Sequence, residues 1–256
     1  MHINNYCNIM FDYIVIMSYT ILNFYFYLKK LEFILNIKIL KDEKKLNNIS
    51  KFIKATRSII DKEGIKNVST RKISALSGLH NSTIYSYFDN LSELVMLSCI
   101  SYFNEYCKAL KAFDDKQKKP EKKFIRIWDI FMQYAFKQPE IFYYFFFEVK
   151  EFNLETLFKV YYTIFPEEAN EFTDTVAQMY YGPNIYARSI KILGFLIGNK
   201  NLLVNKDNIT LINELIVEYS GFKIIQAKLN TKSKELLKQE FIQILYHVTG
   251  LKNITF

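Results

Sequence analysis

Four consecutive polar residues, His80, Asn81, Ser82 and Thr83, stand between the apolar Leu79 and Ile84. Most are small, so they can approach the base edges of a DNA duplex without steric conflict. An Asn carboxamide pairs bidentately with adenine, and a Thr methyl packs on the thymine methyl. No Arg or Lys occurs between positions 80 and 88, so the strong arginine–guanine contact is unavailable there. Readout through this stretch would rest on short side chains and on DNA shape, with an A/T-leaning target. Other chemistry is poorly supported. The sequence has no Gly-rich phosphate loop, no C-x-x-C and no His/Cys/carboxylate cluster at metal spacing. Without a nucleophile–base pair either, an enzyme is disfavoured, and no cofactor or metal is implied.

Charge points the same way. The formal net charge is +8, and residues 29–72 carry all of it: thirteen Lys/Arg against five Asp/Glu. A localised basic stretch beside a neutral remainder is the footprint of a polyanion-binding segment, although a solvated basic helix face would look alike. The three cysteines, Cys7, Cys99 and Cys107, suit a reducing cytoplasm.

The elements that must hold residues 80–83 in place are helices. Seven glycines and four prolines in 256 residues are too few for an all-β fold with its many turns. Ile49, Phe52, Ile53, Ile59 and Ile60 form an apolar stripe that ends at Gly64. Ile73 and Leu76 belong to a short helix from about Ser69 to Gly78, and a third short helix is expected over 81–88. Asn90, three residues before Glu93, opens a helix that the stripe from Val95 to Phe113 extends to about 22 residues. Further stripes include Phe124–Trp128–Phe131–Ala135, Ile190–Leu193–Ile197, Leu211–Leu215 and Leu237–Phe241–Ile244–Val248. The fold class is therefore all-α. The expected division is a leader over 1–45, a helix-turn-helix domain over 46–90 and a helical domain over 91–256.

The leader contains an apolar run, 13–28, followed by Lys29 and Lys30. It is short for a bilayer span unless Asp12 is included. Its readings are a start-site artefact or dispensable extension, a membrane anchor, or an extra packed helix.

Residues 69–88 have the organisation of a helix-turn-helix: Ser77 and Gly78 permit the sharp turn, Leu79 plugs it, and Ile84 enters the small core. Over about 52–94 the sequence resembles the TetR family of bacterial regulators. The resemblance rests on Ala55, Ile59, Ile60, Gly64, Ser69, Ile73, Gly78, Leu79, the ending Thr83–Phe88 and Leu94, without a gap. It implies phosphate contacts from Thr70 and Arg71 and backbone contacts from Tyr85 and Tyr87. Asn81, Ser82 and Thr83 are implied to meet base edges, and His80 is either a base contact or a turn residue. Tyr87 is also a candidate for the core. Leu91 stands where the family usually has Lys, which puts one phosphate contact in doubt.

The resemblance further implies a ligand-responsive repressor. It would bind a pseudo-palindromic duplex as a homodimer and be released by a small apolar or aromatic effector. Trp128, Phe131, Met132, Phe146 and Tyr162 are candidates for the effector pocket, or ordinary core. Residues 140–174 hold eight acids against two lysines, which would suit a cationic ligand or a solvated face. Gly194 and Gly198, four apart, are candidates for a dimer seam. The competing function is a membrane-anchored sensor or interaction protein using residues 9–28.

Overall fold

Short polar side chains start the helices by accepting from backbone N–H groups that have no partner within the helix. Ser69 accepts from the N–H of Lys72 (3.4 Å), Asn90 from Glu93 (2.9 Å) and Asn184 from Ala187 (2.8 Å). The Glu93 carboxylate reaches back to the N–H of Asp89 (2.7 Å), one residue earlier than in a standard capping box. Gly78 closes its helix at φ 70°, a left-handed conformation that costs a residue with a Cβ about 1–2 kcal/mol.

The computed structural model describes residues 42–114, 119–169, 172 and 174–252. The apolar run at 13–28, Cys7 and the basic residues before Asp42 lie outside them. Among the described residues all regular structure is helical, and no helix is long and apolar enough to cross a membrane. The α-helices are α1 (Glu43–Glu63), α2 (Thr70–Ser77), α3 (Asn81–Ile84), α4 (Leu91–Cys99), α5 (Asn104–Asp114) and α6 (Pro120–Lys137). They continue with α7 (Pro139–Tyr143), α8 (Leu154–Ile164), α9 (Asp174–Tyr180), α10 (Ile185–Leu193), α11 (Ile209–Lys228) and α12 (Lys234–Thr249).

From Ile49 onward the chain packs as one unit. Its N-terminal part is centred on Phe52, Ile53, Ile73, Ile84 and Leu94, all fully buried. The Phe52 ring meets Phe88 edge-on at 6.2 Å and Tyr87 at 6.3 Å. In the remainder, α11 packs against α12, α10, α7 and α6. Aromatic rings fill this interior: Phe103 lies 4.7–5.3 Å from Phe142, Phe145 and Phe146, and Phe131 lies 5.4–5.9 Å from Phe146, Phe142, Trp128 and Tyr106. Gly221 on α11 permits one close approach, because a Cβ there would sit 2.9 Å from the Phe147 ring.

Several sequence expectations need correction. The 22-residue helix from Leu91 is two helices, α4 and α5, with a 3-10 turn at Ile100–Phe103 between them. Ser98 donates its hydroxyl to the carbonyl of Leu94 (2.7 Å) and Ser101 to that of Ser98 (3.1 Å). Such back-bonding loosens a helix, and here the tightened turn delivers Phe103 to the ring cluster. The third helix ends at Ile84 rather than 88. Its continuation tightens through Ser86 N–H to Thr83 and Tyr87 N–H to Ile84, which brings Phe88 into the core. Leu76, Leu211 and Leu215 point outward, because the buried registers of their helices are taken by Ile73, Ile212 and Ile216. On α10 the buried apolar positions are Ile185, Ile192 and Leu193, while Ile190 is only half-buried. Gly194 opens a 3-10 turn and Gly198 follows it at φ 98°, so the two do not share a helix face.

Removing the ring that seats Tyr87 and Phe88 tests this packing. Phe52→Ala should cost about 3–5 kcal/mol, read as a lower urea midpoint with unchanged slope. A loss under about 1 kcal/mol would mean that Phe52 does not organise the N-terminal core.

Candidate functional site

α3 is one helical turn, too short to be stable alone. It holds its orientation because Ile84 and the following Phe88 are buried while its opening residues face out. His80, Asn81 and Ser82 are exposed, and Thr83 is half-buried. The His80 ring is the N-cap: Nδ1 accepts from the N–H of Ser82 (3.3 Å) and lies 2.8 Å from its hydroxyl. In the neutral ring that assignment leaves the proton on Nε2, which keeps a donor edge. His80 thus has a structural role as well as an outward face.

Tyr85 is exposed, whereas Tyr87 is half-buried against Phe52. Thr70 is the first residue of α2 and half-buried; Arg71 beside it is exposed and makes no ion pair among the described residues. Lys72 is committed within the fold, to Glu63 (2.6 Å) and to the carbonyl of Asn67 (3.0 Å). The eight candidate DNA-contact residues therefore fall at the openings of α2 and α3 and in the turn after α3. Leu91, at the start of α4, is half-buried.

A second site lies in the aromatic interior. A cavity of about 20 Å³ is lined by Trp128 and Phe131 from α6, Tyr106, Met179, and Arg188 and Ser189 from α10. Of the five candidate pocket residues, Trp128 and Phe131 line it and three do not. Met132 is fully buried in the core, Phe146 stacks against Arg188 from outside the cavity, and Tyr162 bonds the Tyr180 hydroxyl at 3.1 Å.

Arg188 is the residue that the sequence reading missed. It is 2% exposed, donates Nη1 to the carbonyl of Tyr180, and has Nη2 buried without a partner. The rings of Phe146, Tyr180 and Phe158 lie 5.0, 5.0 and 5.8 Å from its guanidinium. Gly182 makes room for its stem, since a Cβ there would meet Arg188 Cγ at 2.9 Å. A signal existed in the spacing: Arg188 is three residues after Ile185 and four before Ile192, on the buried stripe of α10.

The six described acids of 140–174 do not supply a counter-charge. Glu155 pairs with Lys159 (2.6 Å), Glu140 with Lys228 (3.6 Å) and Glu168 with Arg57 (3.3 Å); Glu148, Glu151 and Glu167 are exposed. None of these lines the cavity, so their charge does not create a site for a cationic ligand there. The Glu171 and Asp174 side chains lie outside the described set. A wider surface cleft of about 400 Å³, between Lys66, Leu91, Glu140 and Lys228, has its charges exposed or paired.

Between the two sites lies a polar junction. Arg57 of α1 bonds Glu168 and the Tyr161 hydroxyl, and its guanidinium sits 4.7 Å from the Phe165 ring. The Tyr102 hydroxyl donates to Asp61 of the same helix (2.6 Å). Tyr162, next to Tyr161, joins Tyr180, whose hydroxyl is 3.0 Å from Cys107 Sγ. A connected set of contacts thus runs from the carbonyl that holds Arg188 to the helix carrying Phe52.

No protein-family model matches the sequence, and no curated protein matches it. Solved structures do. RolR in complex with resorcinol superposes with TM-score 0.54 at 14% identity, covering 82% of this chain and 92% of RolR. FadR of Thermus thermophilus, a TetR-family transcriptional repressor in complex with lauroyl-CoA, gives TM-score 0.51 at 8% identity over 81% and 98% of the two chains. The chain has a TetR-type fold. Within that TetR-type frame, α2 and α3 form the helix-turn-helix that the spacing of Ser69, Gly78 and Ile84 predicts.

The cap assigns His80 a measurable role. If residues 80–83 are the DNA-contact face that the sequence implies, His80→Ala should lower affinity for all duplexes alike by fraying α3, at about 1 kcal/mol for a lost cap. His80→Ser should recover most of it with unchanged base preference in selection from random DNA. A changed preference in His80→Ser would make the imidazole a base reader.

Proposed function

We propose that the protein is a ligand-responsive, DNA-binding transcriptional regulator and not an enzyme. It works as a cytoplasmic homodimeric repressor that an apolar or aromatic effector releases from DNA. One observation carries this reading: the outward polar residues His80, Asn81 and Ser82, with half-buried Thr83, are fixed on a buried frame of Ile73, Ile84 and Phe88 within a TetR-type fold. Residues 46–90 are then the DNA-reading part and 91–256 the effector-binding and dimerising part. Asn81, Ser82 and Thr83 meet base edges. Thr70, Arg71, Tyr85 and the outward side of Tyr87 meet phosphates, and His80 sets the helix opening beside them.

Dimerisation is supported by an apolar surface on α11. Leu211, Leu215, Phe222 and Leu229 just beyond its end are 50–65% exposed and recur on one face, with Leu236 of α12 also exposed. Contiguous apolar surface of this kind marks association sites. Two-fold pairing through it would present two copies of α3 to successive major grooves, about 34 Å apart. Effector response is supported by the cavity at Trp128 and Arg188 and by the junction at Arg57. The similar structures hold small ligands, resorcinol in RolR and lauroyl-CoA in FadR.

Two measurements test these parts separately. Arg71→Ala should weaken binding to all duplexes nearly equally and lower the log–log salt slope by about 0.9. Asn81→Ala should cost about 1–3 kcal/mol on the best site and little on random DNA. A G/C-rich consensus indifferent to residues 80–83 would sink the readout proposal. For the dimer, Leu215→Glu with Phe222→Glu should give a folded monomer by sedimentation and weaken operator binding. A dimer that survives both charges uses another face.

A further inference from the structure

The cavity at α10 contains an unbalanced charge. Arginine remains protonated in proteins, so Arg188 is a cation wherever it sits. It is 2% exposed, and no carboxylate bonds it among the described residues. Three ring faces, one backbone carbonyl and the neutral Tyr106 hydroxyl beside it offset part of the desolvation cost but do not neutralise it. The neighbouring titratable groups stay neutral. Burial pushes the Tyr106 phenol and the Cys107 thiol each up to about 12, and drives the Tyr180 phenol well above its usual value.

Two further buried polar atoms on residues that line the cavity lack partners: Nε1 of Trp128 and Oγ of Ser189. With Arg188 Nη2, these lining residues hold three unpartnered groups able to donate. A carboxylate accepts only, through two oxygens, and is the organic group that such a set complements. The remaining lining, with Phe131, Met179, Ile127 and Ile192, is apolar.

We propose that this cavity receives the acid group of an apolar monocarboxylate, held by Arg188 with Trp128 and Ser189. The inference rests on the reading of this cavity as the effector site and names the effector's chemical class as anionic. At about 20 Å³ the cavity admits only a water-sized group, so both the carboxylate and the apolar body of the acid must part the elements around it. Those elements are α5, α6, α9 and α10. Tyr180 at the end of α9 bonds Arg188 and leads through Tyr162 toward the Arg57 junction.

Trp128 is the only tryptophan in the chain, so its fluorescence reports on the cavity directly. The test uses the full-length, DNA-free protein with benzoate and hexanoate, their amides, and benzylammonium and hexylammonium as probes. At least one acid should give a saturable fluorescence change and a higher Tm. Its amide should bind about tenfold more weakly or worse, and the amines should have no effect. Arg188→Met should fold with an equal or higher Tm, because it removes an unpaired buried cation, and should lose the response to acid. Arg188→Lys, which keeps the charge, should retain a weakened response should the Met variant fail to fold.

Indifference of the wild type to both acids would overturn the proposal, as would equal binding of acid and amide. An undiminished response in Arg188→Met, or in Arg188→Lys an acid response no different from that to the amide, would do so too. DNA affinity measured on the same preparations keeps the two readings apart. Acid binding without any duplex binding would remove the regulator and leave the anion site; duplex binding without acid binding would do the reverse.

Discussion

A four-residue helix cannot hold itself together in water, and the surface proposed to face DNA depends on how that deficit is met. α3 gains its stability from the side chains it buries. Ile84 and Phe88 occupy the small core, with Phe52 of α1 against Phe88 and Ile73 of α2 buried nearby. Because apolar groups hold the inner face, the outer face is free to be small and polar. His80 adds the cap that keeps the first turn wound. The same hydrophobic contacts that stabilise this part of the fold therefore orient residues 80–83.

α1 connects that arrangement to the rest of the molecule. One side of it presents Phe52 to the helix-turn-helix. Another presents Arg57 and Asp61 to polar groups of the larger helical part: Tyr161, Glu168 and Tyr102. Charge-assisted hydrogen bonds are directional, unlike apolar contacts, so a displacement of α8 or of the 166–168 turn is resisted along defined bonds rather than absorbed by sliding. This gives the proposed effector response a mechanical basis: ligand entry at α10 would act on Tyr180 and Tyr162, next to the residue that holds Arg57.

The interior of the larger part is organised for contact rather than for space. Rings at 4.7–6.4 Å fill it in edge-to-face, tilted and stacked pairs, and the cavity beside Arg188 is small. An aromatic interior also tolerates a cation better than an aliphatic one, because ring faces carry negative potential. That is why Arg188 can be accommodated without a carboxylate, and why its unsatisfied Nη2 is informative about ligand chemistry.

The sequence by itself determined what local physics decides. The helix class followed from the apolar periods and the scarcity of glycine and proline. The bounds of α2 followed from Ser69 and Gly78, and the start of α4 from Asn90. The helix-turn-helix with its outward polar opening at 80–83 followed from the spacing of Ser69, Gly78, Leu79 and Ile84. Where several faces of one helix are apolar, the pattern could not say which is buried. α11 carries Leu211, Leu215 and Phe222 as well as Ile212, Ile216 and Val217, and only packing against α12, α10 and α7 chose the second set. The break between α4 and α5 was likewise hidden, because Phe103 is drawn to rings forty residues away in sequence. Arg188 lay in plain view on an apolar stripe. Its burial, its missing partner and its place beside Trp128 and Ser189 exist only once α6, α9 and α10 come together.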